Sequence, residues 1–197
     1  MKLKECIRRE ADTLDNGASS YRRFLDGEKE GMIEIICEYR EGLTFYLYRF
    51  TNDLGAAEEI AEDTFVKLCT KKPKFSGKSS FKTWLYTIGR NCALNYMKRR
   101  RFVSDTPLHE YTGISDGTDV EAQYIEKEQS FLVQKAMKRL KPEYSQVLYL
   151  LYTEEFSTEE TARIMHKSKR QIGNLVYRAK NALRLELGKE GFGDDEQ

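Results

Sequence analysis

Residues 57–91 carry the pattern that decides the fold, and they read AEEIAEDTFVKLCTKKPKFSGKSSFKTWLYTIGRN. Apolar residues recur at steps of three or four near the start of this stretch and again near its end. Such spacing predicts two amphipathic helices, whose inward faces are Ala57, Ile60, Ala61, Thr64, Phe65 and Leu68 in the first and Phe81, Trp84, Leu85, Ile88 and Cys92 in the second. Because Pro73 and Gly77 interrupt the pattern, residues 71–80 are expected to form a loop, and Ser79 or Ser80 can cap the second helix.

Helical spacing continues on both sides of this stretch, and no strand pattern is present. Residues 52–55 (Asn-Asp-Leu-Gly) predict a turn or cap between two helices. Residues 102–118 have no apolar period and contain two glycines and a proline, which is typical of a linker. We therefore predict an all-α protein of two small helical domains joined by a flexible acidic linker. The expected bounds are an N-terminal extension at 1–30, a helix bundle at 31–101, the linker at 102–118, a helix-turn-helix domain at 119–188 and an acidic tail at 189–197.

The second domain ends in a helix-turn-helix pattern. Pro142 is expected in the first turn of one helix, and Ser157 with Glu160 matches a capping box that opens the next, short helix. A turn at 166–168 precedes a last helix with a periodic apolar face. The first residues of such a helix meet base edges in the major groove, and further basic residues anchor phosphates. Duplex contacts are therefore predicted from Ser168, Lys169, Arg170, Gln171, Asn174, Arg178 and Lys180.

The charges are sorted along the chain although they nearly cancel in sum. The chain has 33 Lys and Arg against 32 Asp and Glu, which gives a net charge of +1. Residues 67–101 and 161–185 contain no acid, whereas acids cluster at 58–63 and in the linker. Two basic faces separated by acidic material suit a polyanion bound at two places. A solvated helix face is the alternative, but such a face normally carries interspersed acids.

Aromatic and basic side chains are interleaved in residues 81–91, which suits an unpaired nucleic-acid strand because bases stack on rings while cations neutralise phosphates. Trp84 shares a face with Phe81, so a core position is equally expected for it. Four residues fall off that face and are the better contact candidates: Tyr86, Arg90, Asn91 and Asn95. The loop at 71–80 can also approach a phosphate closely. Single-strand contacts are therefore predicted from Lys74, Phe75, Lys78, Trp84, Tyr86, Arg90, Asn91, Asn95 and Lys98.

Several classes of function are disfavoured. No apolar run approaches the ~20 residues that span a bilayer, and the first residues lack the apolar core of a signal peptide, so we expect a cytoplasmic protein without membrane insertion. The four cysteines lie far apart, which predicts no zinc site. The two histidines are isolated and no carboxylate cluster has metal-ligand spacing. We therefore expect no metal, no cofactor, no catalytic residue and no enzymatic activity.

Two segments in this order resemble bacterial RNA polymerase sigma factors of the compact extracytoplasmic-function (ECF) type. Residues 57–68 together with 81–91 resemble region two of that family. Residues 140–184, which begin Leu-Lys-Pro and contain Tyr-Arg-Ala-Lys at 177–180, resemble region four. The turn of the family's helix-turn-helix usually carries Gly and then an apolar residue, where this chain has His166 and Lys167. A non-Gly residue in a left-handed conformation there costs of order a kcal/mol.

The resemblance implies a non-catalytic promoter-specificity subunit that directs transcription initiation with core RNA polymerase. Region four would bind the −35 element as duplex and dock on the flap of the second-largest subunit. Region two would melt and hold the −10 element, with the loop at 71–80 matching the segment that receives a flipped base. The acidic linker would run near the RNA exit path. Region two would also bind the clamp of the largest subunit through Glu58, Glu59, Glu62 and Asp63.

An autonomous helix-turn-helix regulator is the alternative function. Such a protein would bind an operator tightly without polymerase, and the loss of Glu62 and Asp63 would not affect it. The promoter sequence, the inducing signal, the role of the N-terminal extension and the existence of an anti-sigma partner are left open by the sequence.

Overall fold

The computed structural model describes residues 16–103 and 132–189, and every regular element in these ranges is a helix. The amino-terminal bundle consists of α1 (Asn16–Leu25), α2 (Lys29–Thr51), α3 (Leu54–Lys71) and α4 (Phe81–Val103). The carboxy-terminal bundle consists of α5 (132–139), α6 (Pro142–Tyr152), α7 (Thr158–Met165) and α8 (Lys169–Gly188). The prediction of an all-α protein with two helical domains is confirmed. The first 15 residues, the predicted linker from residue 104 onward, the helical spacing predicted for 120–131 and the tail after residue 189 lie outside the described residues.

Helix ends in the amino-terminal bundle follow the turn signals of the sequence. Asn52 ends α2 in a left-handed conformation, with φ of 50°. The Asp53 side chain then accepts a hydrogen bond from the backbone N–H of Ala56 and caps α3. At the start of α4, the Ser80 hydroxyl accepts a hydrogen bond from the N–H of Thr83 at 3.2 Å. Of the two serines that could cap this helix, Ser80 is therefore the one that does.

Helix α1 is part of the amino-terminal bundle, although it falls in the predicted N-terminal extension. It crosses α2 at Gly31, where a Cβ atom would come within 2.2 Å of the Ser20 carbonyl oxygen. Only glycine permits that approach of two backbones. The Tyr21 ring is buried, with its centroid 5.6 Å from that of Phe81 and 5.3 Å from that of Trp84. The folded bundle thus includes residues upstream of its predicted start at residue 31.

The carboxy-terminal bundle begins its helices as predicted. Pro142 lies in the first turn of α6, and Ser157 with Glu160 forms the capping box of α7. Helices α7 and α8 are joined by a short turn and pack through Ile164 and Ile172, which are fully buried. Together they form the expected helix-turn-helix.

The two bundles pack directly against each other, with α7 along α4 and α6 along α2. The ring centroids of Tyr86 in α4 and Phe156 before α7 lie 5.0 Å apart. The Tyr149 hydroxyl of α6 donates a hydrogen bond to the Gly42 carbonyl of α2 at 3.3 Å. One continuous apolar core therefore runs through both bundles. Across the two described ranges, no helix has the length and apolar character needed to cross a membrane.

Candidate nucleic-acid interface

Helix α8 presents the predicted duplex-reading residues to solvent. Its inner side is fixed by Ile172, Leu175 and Ala179, which are buried. The helix begins with a second capping box, in which Ser168 accepts a hydrogen bond from the N–H of Gln171 and the Gln171 Oε1 atom accepts one from the N–H of Ser168. All seven residues predicted to contact duplex DNA are exposed: Ser168, Lys169, Arg170, Gln171, Asn174, Arg178 and Lys180. An exposed polar helix start on a buried apolar side is the geometry that helix-turn-helix proteins place in the major groove.

The turn before α8 has His166 where the family usually has glycine, and it adopts the expected left-handed conformation. His166 is left-handed, with φ of 52° and ψ of 45°. The backbone N–H groups of His166 and Lys167 donate to the carbonyls of Arg163 and Ala162, at 3.2 and 2.9 Å. These bonds satisfy carbonyls at the end of α7 and offset part of the cost of a left-handed histidine.

Basic residues of the helix-turn-helix have partners on neighbouring helices. Lys169 pairs with Glu159, Lys167 lies 3.2 Å from a Glu143 carboxylate oxygen, and the Lys180 ammonium lies 4.9 Å from the centroid of the Tyr152 ring. Residues 161–185 contain no acid, but carboxylates from neighbouring helices lie close to their basic side chains. Both partners of the Lys169 pair are more than half exposed, at 63% and 54%. Such a pair contributes at most about 1 kcal/mol and can be exchanged for a phosphate.

The nine residues predicted to contact a single strand, here called the strand-binding set, differ in exposure. Lys74, Lys78, Asn95 and Lys98 are exposed, while Phe75, Trp84 and Asn91 are half-buried. Tyr86 and Arg90 are buried, at 1% and 8% exposure. The structure thus brings the loop at 71–80 and the outer side of α4 together, but it does not open all nine side chains to solvent.

The expectation that Tyr86 and Arg90 point away from the core is wrong. The Tyr86 ring lies 5.5 Å from that of Tyr46 on one side and 5.0 Å from that of Phe156 on the other. The Arg90 guanidinium lies 5.8 Å from the Phe50 ring centroid. Helix α4 is covered on two sides, by its own bundle and by the carboxy-terminal bundle. A single apolar stripe in the sequence predicts only one covered side.

Tyr21 holds the loop at 71–80, and the sequence analysis missed it. Its hydroxyl donates a hydrogen bond of 2.8 Å to the Pro73 carbonyl. Burial raises the pKa of Tyr21 to about 12, so the phenol keeps the proton that it donates. The Phe75 ring packs 5.2 Å from that of Trp84, which fixes the loop against α4. The sequence does contain a signal for this packing. Tyr21 and Phe24 are aromatic residues three positions apart in the predicted N-terminal extension.

The four acids predicted to bind polymerase share one exposed face of α3. Glu58, Glu59, Glu62 and Asp63 are all exposed. The buried side of the helix carries Ala57, Ile60, Ala61 and Thr64. Neighbouring acids in this group are one, three or four positions apart. Because a helix repeats every 3.6 residues, their side chains lie on the same face of α3. The Glu62 carboxylate lies 4.0 Å from the Arg40 guanidinium of α2, and all four acids are open to a basic or polar partner surface.

Comparison with known proteins gives two family matches in the expected order. The family description "Sigma-70 region 2" matches residues 35–103, and "Sigma-70, region 4" matches residues 130–183. The RNA polymerase sigma factor YlaC of Bacillus subtilis is 31% identical over 163 residues, which cover 82% of this chain and 92% of YlaC. The ECF RNA polymerase sigma factor SigW of the same organism is 24% identical over 170 residues, covering 82% and 91%.

A solved structure of a sigma factor has a similar fold. RpoE of Bartonella quintana, crystallised with the anti-sigma factor NepR, superimposes with a TM-score of 0.64 and 26% identity, covering 79% of this chain and 95% of RpoE. Both matched regions of this chain are regions of sigma-70 proteins, and region 2 precedes region 4 along the chain. The chain therefore belongs to the RNA polymerase sigma factors of the sigma-70 family, in the ECF group. It acts with RNA polymerase in promoter-specific transcription initiation.

Proposed function

We propose that this sigma factor recognises its promoters at two places. Helix α8 binds the −35 element as duplex, and the strand-binding set without the buried Tyr86 and Arg90 binds the melted −10 element. The single observation that carries the proposal is the exposed start of α8. There, every side chain predicted to read or anchor duplex faces solvent while Ile172, Leu175 and Ala179 hold the helix from behind.

At the −35 element, base reading belongs to the first two turns of α8. Arg170 and Lys169 suit guanine and Asn174 suits adenine, because these side chains match the major-groove edges of those bases. Gln171 uses its Oε1 atom for the helix cap, which leaves its amide N–H groups to donate to a base. Arg178 and Lys180 lie further along the helix and contact phosphates.

At the −10 element, the loop at 71–80 and α4 hold an unpaired strand. Phe75 and Trp84 are half-buried, so part of each ring is open for a base to stack. Lys74, Lys78 and Lys98 are exposed and neutralise phosphates beside them. The loop receives a base flipped out of the duplex, which requires an anchored backbone, and the hydrogen bond from Tyr21 supports that role.

The exposed acidic face of α3 binds the clamp of the largest polymerase subunit, and the carboxy-terminal bundle docks on the flap of the second-largest subunit. The protein is a non-catalytic subunit and works in the cytoplasm with polymerase and chromosome. Because RpoE of B. quintana is described in complex with an anti-sigma factor, we include an anti-sigma protein among the partners of this chain.

The test is run-off transcription by core polymerase with this protein on a library of random upstream sequences. We expect transcripts only when both are present, and a recovered set of templates with two preferred blocks of bases. If no promoter-dependent transcript forms and the protein also fails to bind core polymerase, the proposal is wrong. Tight operator binding by the isolated chain, unaffected by Glu62→Gln and Asp63→Asn, would instead support an autonomous regulator.

A further inference from the structure

We propose that Gly173 and Tyr177 of α8 form an apolar notch that receives the methyl group of one thymine in the −35 element. The inference rests on the −35 role proposed above and deepens it, because it adds a base preference that the polar residues of the helix do not supply. Neither residue is among the seven predicted to contact duplex DNA.

Gly173 stands at a position where the folded chain does not require a glycine. It lies inside α8, and a glycine inside a helix is less stable than an alanine. Apart from its chain neighbours and the backbone of its own helix, a Cβ atom there would meet no described atom within 4 Å. At Gly89, by contrast, a Cβ atom would lie 2.8 Å from a methyl carbon of Leu43, so packing accounts for that glycine. Glycine is also used where a partner approaches the backbone closely, and this use fits position 173.

Gly173 lies on the side of α8 that the proposed function places against DNA. It follows Arg170 by three residues and precedes Asn174, and all three residues are exposed. With 3.6 residues per turn, positions 170, 173, 174 and 177 adjoin one another on one side of the helix. The buried apolar residues of α8 hold the other side against the bundle. The bare backbone of Gly173 is therefore open to a base-pair edge.

Tyr177 forms the wall of the notch. It follows Gly173 by four residues, about one helical turn, and it is 69% exposed. Because helical side chains lean toward the N-terminus, a ring at position 177 extends over the turn that contains Gly173. A side chain at position 173 would stand in the same space. Its absence leaves room between the Tyr177 ring and the helix backbone.

The surface of the notch suits an apolar group. The N–H of Ile172 already donates to the Ser168 carbonyl within the helix, and Gly173 lies one residue further inside the same ladder of hydrogen bonds. The floor of the notch and the face of the ring thus offer carbon surface without a free donor or acceptor. Among the groups that base pairs present in the major groove, the thymine methyl is the apolar one. Thymine is therefore the base that the notch selects.

The experiment measures the affinity of reconstituted holoenzyme for the −35 duplex of a recovered promoter. Each thymine of either strand is replaced in turn by deoxyuridine, which lacks only the methyl group. Gly173→Ala fills the notch, Tyr177→Ala removes its wall and Tyr177→Phe keeps the ring. Gly188→Ala is the matched control, because this second glycine of α8 also has no described atom within 4 Å of a Cβ position and lies at the far end of the helix.

We expect wild type to lose about three- to fivefold in affinity when one particular thymine becomes deoxyuridine, which is the effect of one buried methyl group. Tyr177→Phe and Gly188→Ala should show the same loss. Gly173→Ala and Tyr177→Ala should bind the thymine duplex about three- to tenfold more weakly and show no further loss with deoxyuridine. Because alanine at position 173 is expected to stabilise the helix, weaker binding by that variant cannot come from unfolding.

The inference is overturned if wild type binds equally well with deoxyuridine at every thymine, or if the recovered −35 block contains no thymine. It is also overturned if Gly173→Ala keeps both its affinity and its sensitivity to the methyl group, or if Tyr177→Phe or Gly188→Ala loses that sensitivity. In each of these cases the −35 role stands, because wild type still binds the block. If wild-type holoenzyme selects no −35 block, the proposed function fails together with the inference.

Discussion

Glu160 serves two helices with one carboxylate. Its Oε2 atom accepts hydrogen bonds from the backbone N–H and the hydroxyl of Ser157, at 3.0 and 2.8 Å, and so caps α7. Its Oε1 atom accepts those of Ser80 and Thr83 from the other bundle. Burial acts to raise the pKa of Glu160, but the hydrogen bonds from Ser157, Thr83 and Ser80 outweigh it and lower the pKa below 4.5.

A lowered pKa in the folded state makes the contribution of Glu160 to stability dependent on pH. The contribution is present above the ordinary value of 4.5 and is lost as the pH falls through the lowered folded value. We expect the difference in unfolding free energy between wild type and Glu160→Gln, measured with urea, to be larger at about pH 6 than at about pH 3. A difference that is the same at both values would show that the charge on Glu160 does not matter.

Readers and anchors on α8 should respond differently to alanine. Arg170→Ala is expected to weaken holoenzyme binding to the −35 duplex by ~1–3 kcal/mol and to relax preference at one base position. Lys180→Ala is expected to weaken binding to all sequences alike and to reduce its salt dependence. Titrations against single-base promoter variants at several salt concentrations separate the two patterns. If both variants lose affinity in the same way, the division into readers and anchors is wrong.

At the scale of elements, the crossing of α1 and α2 depends on Gly31. Gly31→Ala places a methyl group 2.2 Å from a backbone oxygen that cannot rotate away, so we expect a loss of about 1–3 kcal/mol in unfolding free energy. Gly173→Ala is the control, since a Cβ there meets nothing within 4 Å. Its substitution inside a helix should raise stability by about 0.5–1 kcal/mol. Equal effects in urea unfolding would contradict close packing of α1.

The hydroxyl of Tyr21 links α1 to the loop at 71–80. Tyr21→Phe keeps the ring in its aromatic cluster and removes the hydrogen bond to Pro73, which is expected to cost about 0.5–1.5 kcal/mol. Holoenzyme affinity for the −10 single strand should fall while affinity for the −35 duplex stays constant. Tyr152→Phe, at an exposed tyrosine of α6, is the matched control and should change neither. A parallel loss at both promoter elements would mean that Tyr21 stabilises the whole protein rather than the loop.

Local signals in the sequence predict most helix starts and ends. Asn52 with Asp53, Pro142, and Ser157 with Glu160 all occupy the positions that their chemistry favours. Caps and turns are determined by residues within a few positions of each other, which is why the sequence alone suffices for them. The buried face of α8 follows in the same way from its apolar spacing.

At the scale of the whole molecule, sequence patterns say little about how the bundles meet. Tyr86 and Arg90 look like outer residues of α4 because the stripe of Phe81 and Leu85 accounts for one buried face. Phe156 of the other bundle covers Tyr86, and Phe50 of α2 covers Arg90, so both are buried by contacts between helices that the stripe does not reveal. Contacts such as that of Lys82 with Glu154 join residues 72 positions apart, and no local spacing encodes them.

The near-neutral sum of charges has a structural counterpart. Lys82 and Lys169, which lie in the two segments without acids, pair with Glu154 and Glu159 from outside those segments. The basic faces are thus partly compensated within the free protein.

Two-site promoter recognition is tested most directly by sequencing the promoters that variant holoenzymes select from one random library. Phe75→Ala should change base preferences only in the −10 block, and Arg170→Ala only in the −35 block, with the spacing between the blocks unchanged. Changes in both blocks for either variant, or selection of a single block by wild type, would contradict the assignment of the two bundles to two promoter elements.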